Sequence, residues 1–422
     1  MSLLNAPNSL RFIREKIEGT RFTSRAFTEI VYDIQAGVYS SVHTAAFLTA
    51  CAAMPLDADE VYNLTRAMVK VGHSLKWQNS PVVDKHCVGG LPGNRTTPII
   101  VSIVAAAGLT IPKTSSRAIT SAAGTADTME VFAPVDLNID RMKYVVDQEG
   151  GCVVWGGNVG LSPVDDELVR VARALDFDGH GQMVASVLSK KIAAGASHVV
   201  IDVPIGPSAK IRNEDEAKTL RTNLMEAAKS FGLTLTIKQT DGTQPIGWGI
   251  GPALEARDVH TILTSRDSGP GDLREKALML TGSLLEIGGK ARVGEGHAKA
   301  REILQSGKAW EKFQAICEAQ GGMRDIPTPK YTHPVLADSV GDLMEIDNKH
   351  IARIAKTAGA PEDKCAGLDL HVRLGQKVYV DQPVFTLHTA NKAARDRALS
   401  LVELEGAGMQ IVGEAEKLRR YV

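Results

Sequence analysis

Along the first 76 residues, apolar positions recur every three to four residues, the spacing of helices that bury one face. Phe27, Ile30, Val31 and Ile34 make one such run, and the Ala-rich stretch from Val42 to Met54 makes another. Gly37 and Pro55 separate them, and Asp57-Ala58-Asp59-Glu60 opens a further helix toward Val71. Its acids fall in the first turn, where the helix dipole favours them. From Pro81 the period changes. Short β-rich runs (Pro81 to His86, Thr110 to Lys113, Gly151 to Trp155, His198 to Val203, Thr234 to Lys238) alternate with helical stretches. That alternation predicts a largely parallel sheet covered on both faces. The helix after the first strand is expected to start at Thr96, accept Pro98 in its first turn and stop at Gly108. Its body, IIVSIVAAA, is apolar almost all round and should be buried.

A helical insertion, Ser162 to Ala194, interrupts the strand pattern, and it is expected to pack with the N-terminal helices rather than on the sheet. Near Pro329 the character changes again: LDLHVRLGQKVYVDQPVFTLHT alternates apolar and polar residues around turns at Gly375 and Asp381-Gln382. This reads as antiparallel structure. It resembles biotinyl- and lipoyl-type modules but has no lysine at a Met-Lys-Met-like turn, so a swinging-arm role is not expected. The expected fold class is α/β. A small discontinuous α domain (1–76 with 162–195) joins a large α/β domain with a mainly parallel sheet (77–161 with 196–328) and a C-terminal α+β domain (329–422).

Composition narrows the function. The 422 residues carry 48 basic and 49 acidic side chains for a net charge of −1, so no whole-molecule field draws nucleic acid or a membrane surface. Aromatics are only 5%, too few for a stacking platform. The five cysteines are scattered, with no C-x-x-C pair, which fits a reduced chain and a cytoplasmic location. The N-terminus has no apolar core of signal-peptide type, and no apolar run is long enough to span a bilayer.

Any anion site must therefore be local, and Val82 to Glu130 offers two loops suited to it. The first supplies Lys85, His86, Gly89, Gly90, Gly93, Thr96 and Thr97; the second supplies Ser115, Ser116, Arg117, Thr120, Ser121, Gly124 and Thr125. Glycines let backbone N–H groups approach a ligand, and hydroxyls with one ammonium and one guanidinium make a donor-rich surface. Each residue also has a plain structural reading, since glycines serve turns and Ser or Thr cap helices. Lys85 and His86, at a strand's carboxyl end, favour function, because ligands of open α/β sheets sit there. In FDGHGQMVASVLSKK, Ser186 and Lys190 share a helical face, and Asp178 precedes His180; a solvated face and a helix cap are the bland alternatives. Lys210 follows a strand and a Gly-Pro turn. Histidines are too dispersed for a metal site, and no Walker or dinucleotide fingerprint occurs.

Together these residues resemble the thymidine/pyrimidine-nucleoside phosphorylase family, through DKHCVGG (84–90), TSSRAITSAAGTADTMEV (114–131), ASVLSKKIAAG (185–195) and VIDVPIGPSAK (200–210). The second and fourth blocks are closer to the AMP phosphorylase branch and to bacterial chains called thymidine phosphorylases. The resemblance implies phosphate-binding roles for Lys85, Gly90, Thr97, Ser115 and Thr125. It implies substrate contacts for Ser116, Arg117, Ala118, Ile119, Thr120, Ser121, Ser186, Lys190 and Lys210, and catalytic roles for Asp178 as proton donor, Lys85 and His86. Cys87 stands where the family has a phosphate-binding serine. Leu168 and Val171 stand where pyrimidine phosphorylases hold the base with a tyrosine and an arginine. The resemblance further implies inorganic phosphate as co-substrate, no cofactor or metal, and a homodimer. Four readings stay open: a nucleoside phosphorylase, an AMP-phosphorylase-type enzyme, a phosphoribosyltransferase of related fold, and a non-catalytic nucleotide-binding subunit.

Overall fold

The computed structural model describes residues 7–118, 121–175, 179–265 and 268–413. Four helices come first: α1 (Leu10–Ile17), α2 (Ser24–Gln35), α3 (Ser41–Ala53) and α4 (Ala58–Val71). Thr23 starts α2 by accepting the Ala26 N–H at 3.2 Å, and Phe27, Ile30, Val31 and Ile34 are all buried, as their spacing predicts. Asp57 caps α4 in a reciprocal box: its carboxylate takes the Glu60 N–H at 3.0 Å while Glu60 takes the Asp57 N–H at 3.2 Å.

The α/β part follows as β1 (Val83–Cys87), α5 (Thr96–Ala106), β2 (Ile111–Ser115), α6 (Thr125–Phe132), α7 (Ile139–Glu149), β3 (Gly151–Trp155) and the short α8 (Gly156–Val159). The insertion is α9 (Pro163–Leu175) and α10 (His180–Ala193). Then come β4 (His198–Ile205), α11 (Glu214–Ser230), β5 (Thr234–Asp241), α12 (Pro252–Thr264), α13 (Gly271–Ile287), α14 (Gly296–Gln305) and α15 (Lys308–Gln320). All pairings among the five strands are parallel. β1, β4 and β5 form one ladder and β2 with β3 another, and a single bridge from Val82 to Thr110 joins them in the order β3-β2-β1-β4-β5.

Alternation along each strand builds the two covering layers. Val200 and Val153 pack with α5, α12 and α13, whereas Val199, Ile201, Cys152 and Val154 face α7, α10 or α11. α5 is buried from Thr96 through Ala105. Each of its Ile and Val side chains contributes about 1.5–3 kcal/mol relative to exposure.

The insertion packs chiefly with the N-terminal helices. α9 joins them with Val164, Leu168 and Val171 in their core. α10 lies along α4, with Ala185 in the helical core, and its Val184, Val187 and Leu188 join one cluster with Val61 of α4 and with Val199, Ile201 and Val203 of the sheet. Its apolar residues run around the helix rather than along one stripe, so both faces need cover.

The C-terminal region is antiparallel, with Pro383–Thr389 paired between Tyr331–Leu336 and Gly367–Leu370. Residues 249–250 pair antiparallel with Gly367–Leu370, and Asn348 donates to the Gly242 carbonyl at 2.9 Å, which fastens this region to the α/β part. Among the described residues no helix is long and apolar enough to cross a membrane.

Candidate active site

The parallel register places β1 and β4 side by side, with Lys85 opposite Val200 and Cys87 opposite Asp202. Successive side chains of β1 point to opposite faces, so Asp84 and Lys85 enter different surroundings. On one face, Lys85, 2% exposed, donates to the Thr96 hydroxyl at 2.8 Å and lies 4.0 Å from Asp202, which Lys276 of α13 meets at 3.2 Å. On the other face, Lys191 of α10 donates to Asp84 at 2.6 Å, and Lys113 of β2 lies 3.9 Å from its second oxygen. Two aspartates thus serve four buried lysines. Each face of β1 sets two lysines against one aspartate, in a chain of net charge −1.

That imbalance shows in the acid–base behaviour. Burial lowers the Lys85 ammonium despite Asp202, and burial followed by Lys191 pulls Lys113 down to about 7. Burial and then Lys191, Lys113, Lys190 and Lys85 hold His86 well below the usual imidazole value, so it is neutral at pH 7. A neutral imidazole has one donor and one acceptor nitrogen, which suits a heterocyclic base better than an anion. Burial and then Asp202 push the Cys87 thiol up to about 11. It stays protonated, and it receives the Asn94 amide at 3.1 Å.

The second loop is joined to the first through Arg95. Its guanidinium donates to the Thr125 hydroxyl at 3.1 Å and the Ala123 carbonyl at 2.6 Å, and it pairs with Glu255 of α12. Ser115, at the carboxyl end of β2, has a buried hydroxyl with no partner among the described residues. Thr97 is buried in the first turn of α5. Other parts of this loop are engaged internally. Asp127 accepts the Ala118 and Gly124 N–H groups at 2.6 and 2.8 Å, and Ser121 donates to the Ala123 carbonyl at 2.7 Å. Arg117 meets Asp127 at 3.2 Å, Glu130 at 3.0 Å and Asp136 at 3.3 Å, and it lies over the Trp155 ring at 5.0 Å. It holds the Glu130 carboxyl at about 2. Ser116 is exposed beside it. Ile119, Thr120 and Asp178 lie outside the described residues.

Two further sequence-selected positions meet directly. Gly90 has φ +82, and a Cβ there would stand 2.5 Å from the Lys210 backbone nitrogen. Only glycine combines that left-handed conformation with so close an approach. On α10, Lys190 pairs with buried Asp165 at 2.5 Å and lies 3.4 Å from the Ser186 hydroxyl. Burial would lower this ammonium, but Asp165 outweighs it and raises the pKa. Leu168 and Val171 belong to the helical core, and Arg170 between them pairs with Glu167 at 2.6 Å.

Sequence reading passed over Arg95, Asp202, Lys191 and Lys276. A signal existed for Asp202: an acid inside the apolar run HVVIDV must find a cation when buried. Arg95 gave none, because Glu255 is 160 positions away in the chain.

Comparison with known proteins agrees with this architecture. Residues 10–72 match the glycosyl transferase family's helical bundle domain, 79–310 its a/b domain, and 343–405 the pyrimidine nucleoside phosphorylase C-terminal domain. The chain is 54% identical over 408 residues to a protein of Acidovorax sp. (strain JS42) named "Putative thymidine phosphorylase 1", covering 97% of this chain and 80% of that one. A protein of Chelativorans sp. (strain BNC1) with the same name but for the numeral is 54% identical over 406 residues, covering 96% and 80%. Among solved structures, anthranilate phosphoribosyltransferase from Thermus thermophilus superposes with a TM-score of 0.62 at 20% identity, over 73% of this chain and 98% of that one. The Saccharomyces cerevisiae enzyme of that name gives 0.60 at 16% identity, over 74% and 97%. At such identities the likeness is one of fold.

Proposed function

The chain belongs to the glycosyl transferase family that unites these helical-bundle, a/b and pyrimidine nucleoside phosphorylase C-terminal domains, and from that premise we propose that it is a nucleoside phosphorylase. It would cleave the N-glycosidic bond with inorganic phosphate, giving free base and a (deoxy)ribose 1-phosphate, in keeping with the names its relatives carry. The observation that carries this reading is the under-compensated cluster on the Lys85 face of β1, where Lys85 and Lys276 share the single Asp202 beside loops rich in hydroxyl donors. A buried cationic excess is costly unless an anion completes it.

In this mechanism Lys85 and the hydroxyls of Thr97, Ser115 and Thr125 hold phosphate below C1′. As the glycosidic bond lengthens the sugar gains positive charge, which the phosphate stabilises before bonding to C1′. Neutral His86, with Ser186 and Lys190, holds the base, and Asp178 supplies the proton that lets it leave. Phosphate is a co-substrate and no cofactor enters. The working unit is a cytoplasmic homodimer.

A second reading has its own support. The Lys113–Lys191–Asp84 cluster lies on the opposite face of β1 from Lys85 and supplies cationic surplus for a second phosphate. With one phosphate as nucleophile and one on the 5′ carbon, the substrate would be a nucleoside 5′-monophosphate such as AMP. Incubating nucleosides and their 5′-monophosphates with and without phosphate, and measuring free base, tests both. Phosphate-dependent release from thymidine or uridine supports the first reading, and turnover of AMP but not adenosine supports the second. Release that ignores phosphate removes both. Lys85→Ala should raise the phosphate KM at least about tenfold by removing a charged hydrogen-bond donor.

A further inference from the structure

Arg95 sits between the glycine turn of the first loop and the first residue of α5. Its guanidinium leaves that loop and reaches three groups from elsewhere. These are the Thr125 hydroxyl at 3.1 Å, the Ala123 carbonyl at 2.6 Å and the carboxylate of Glu255, itself 1% exposed. Glu255 also accepts the Thr128 hydroxyl of α6 at 2.9 Å. One buried fork therefore ties both loops to α6 and α12.

The direction of the bond to Thr125 matters. A guanidinium only donates, so the Thr125 oxygen is the acceptor and its own proton remains to be given. Among the described residues the Thr125 hydroxyl has no other bond. Lys85 repeats the arrangement on Thr96, at 2.8 Å, with another cation that cannot accept. Two hydroxyls, one on each loop, thereby accept from a cation and keep their own proton to give, and polarisation by the cation strengthens each as a donor.

We propose that Arg95 is a positioning residue for the phosphate co-substrate: it fixes Thr125 as a hydrogen-bond donor and holds the second loop in register with the first. The assignment rests on the phosphorolysis reading above. It differs from a purely structural pair, because a structural pair would govern stability and leave phosphate affinity untouched.

Steady-state kinetics at saturating nucleoside with varied phosphate, beside melting temperatures, test it. Arg95→Lys keeps a charge opposite Glu255 but replaces the fork with a single ammonium, and Arg95→Met with Glu255→Gln removes the pair without stranding a charge. Both should raise the phosphate KM about 10–100-fold, the loss of one to two charge-assisted bonds. The nucleoside KM should change less than about threefold. Thr125→Val should show the same rise, Thr125→Ser should restore it, and Thr125→Val should add little on an Arg95→Lys background. A lowered melting temperature with unchanged phosphate KM, or full additivity of the two changes, overturns the assignment. If neither Arg95 variant folds, Glu255→Gln decides, since loosening the anchor must raise the phosphate KM several-fold and an unchanged value is fatal. Wild type is run first: base release without phosphate removes the phosphorolysis reading itself, whereas phosphate-dependent wild type with unresponsive variants removes only Arg95.

Discussion

Lys113 sets the sharpest expectation at the scale of a residue. Its ammonium is 5% exposed, and burial with Lys191 nearby brings it to about 7, against 10.5 in an unstructured chain. Between those values the folded protein binds fewer protons than the unfolded one, so this group makes stability rise with pH across that window. Below about 7 the cost of the buried charge is borne in full. Lys113→Met should therefore stabilise the protein at pH 6 by about 1–4 kcal/mol, taking as a guide the gain when buried ion pairs are replaced by packed apolar groups. Asp84 keeps Lys191 in that variant. The gain should shrink by pH 9.5, which melting temperatures at the two values will read; an equal gain at both would show that Lys113 does not titrate there. Sequence marks Lys85 and His86 as candidates by position alone, a strand's carboxyl end beside glycines. Arg117 has surroundings that its position in the loop does not reveal. A guanidinium among hydroxyls reads as an anion donor, yet Asp127, Glu130 and Asp136 engage it, and Asp136 lies beyond the motif.

The start of α4 illustrates the element scale. Sequence marks Asp57 and Glu60 alike as acids of a first turn, but their loads differ. Asp57 caps the helix and is partly exposed, so Asp57→Ala should cost about 1 kcal/mol. Glu60 returns the cap bond and also takes Lys16 at 2.8 Å and the Phe22 N–H at 2.7 Å, with Lys16 only 4% exposed. Glu60→Ala leaves that ammonium buried and unpaired, at a cost of about 3–5 kcal/mol. Urea denaturation of the two variants separates them, and equal losses would mean the Lys16 contact is worth nothing. The strands were readable because five short apolar runs between helical stretches admit few other arrangements. The double duty of α10 was not, since an apolar helix does not say which of two neighbours it meets first.

At the scale of the molecule, the helical and α/β parts are connected by three passes of chain that lie against one another. His73 N–H donates to the Gly160 carbonyl at 3.1 Å and Leu75 N–H to the Ala193 carbonyl at 2.8 Å. Gly72 crosses so tightly that a Cβ would come within 2.0 Å of the Leu161 carbonyl. Lys191 of α10 reaches Asp84 of β1 close to this junction, so a change in its setting should be felt at the candidate site. Gly72→Val should wedge the passes apart, giving a larger radius of gyration by small-angle scattering and kcat/KM lowered at least about tenfold. Wild-type kinetics in that variant would show that the junction does not govern the site. The sequence by itself determined the period of each element, the parallel α/β class and the donor-rich chemistry of two loops, because these depend on neighbours within a few residues. Only the tertiary structure decided which charges meet. Asp84 finds Lys191 107 positions away, and Arg95 finds Glu255 160 positions away. A buried charge demands a partner, but packing alone chooses which one.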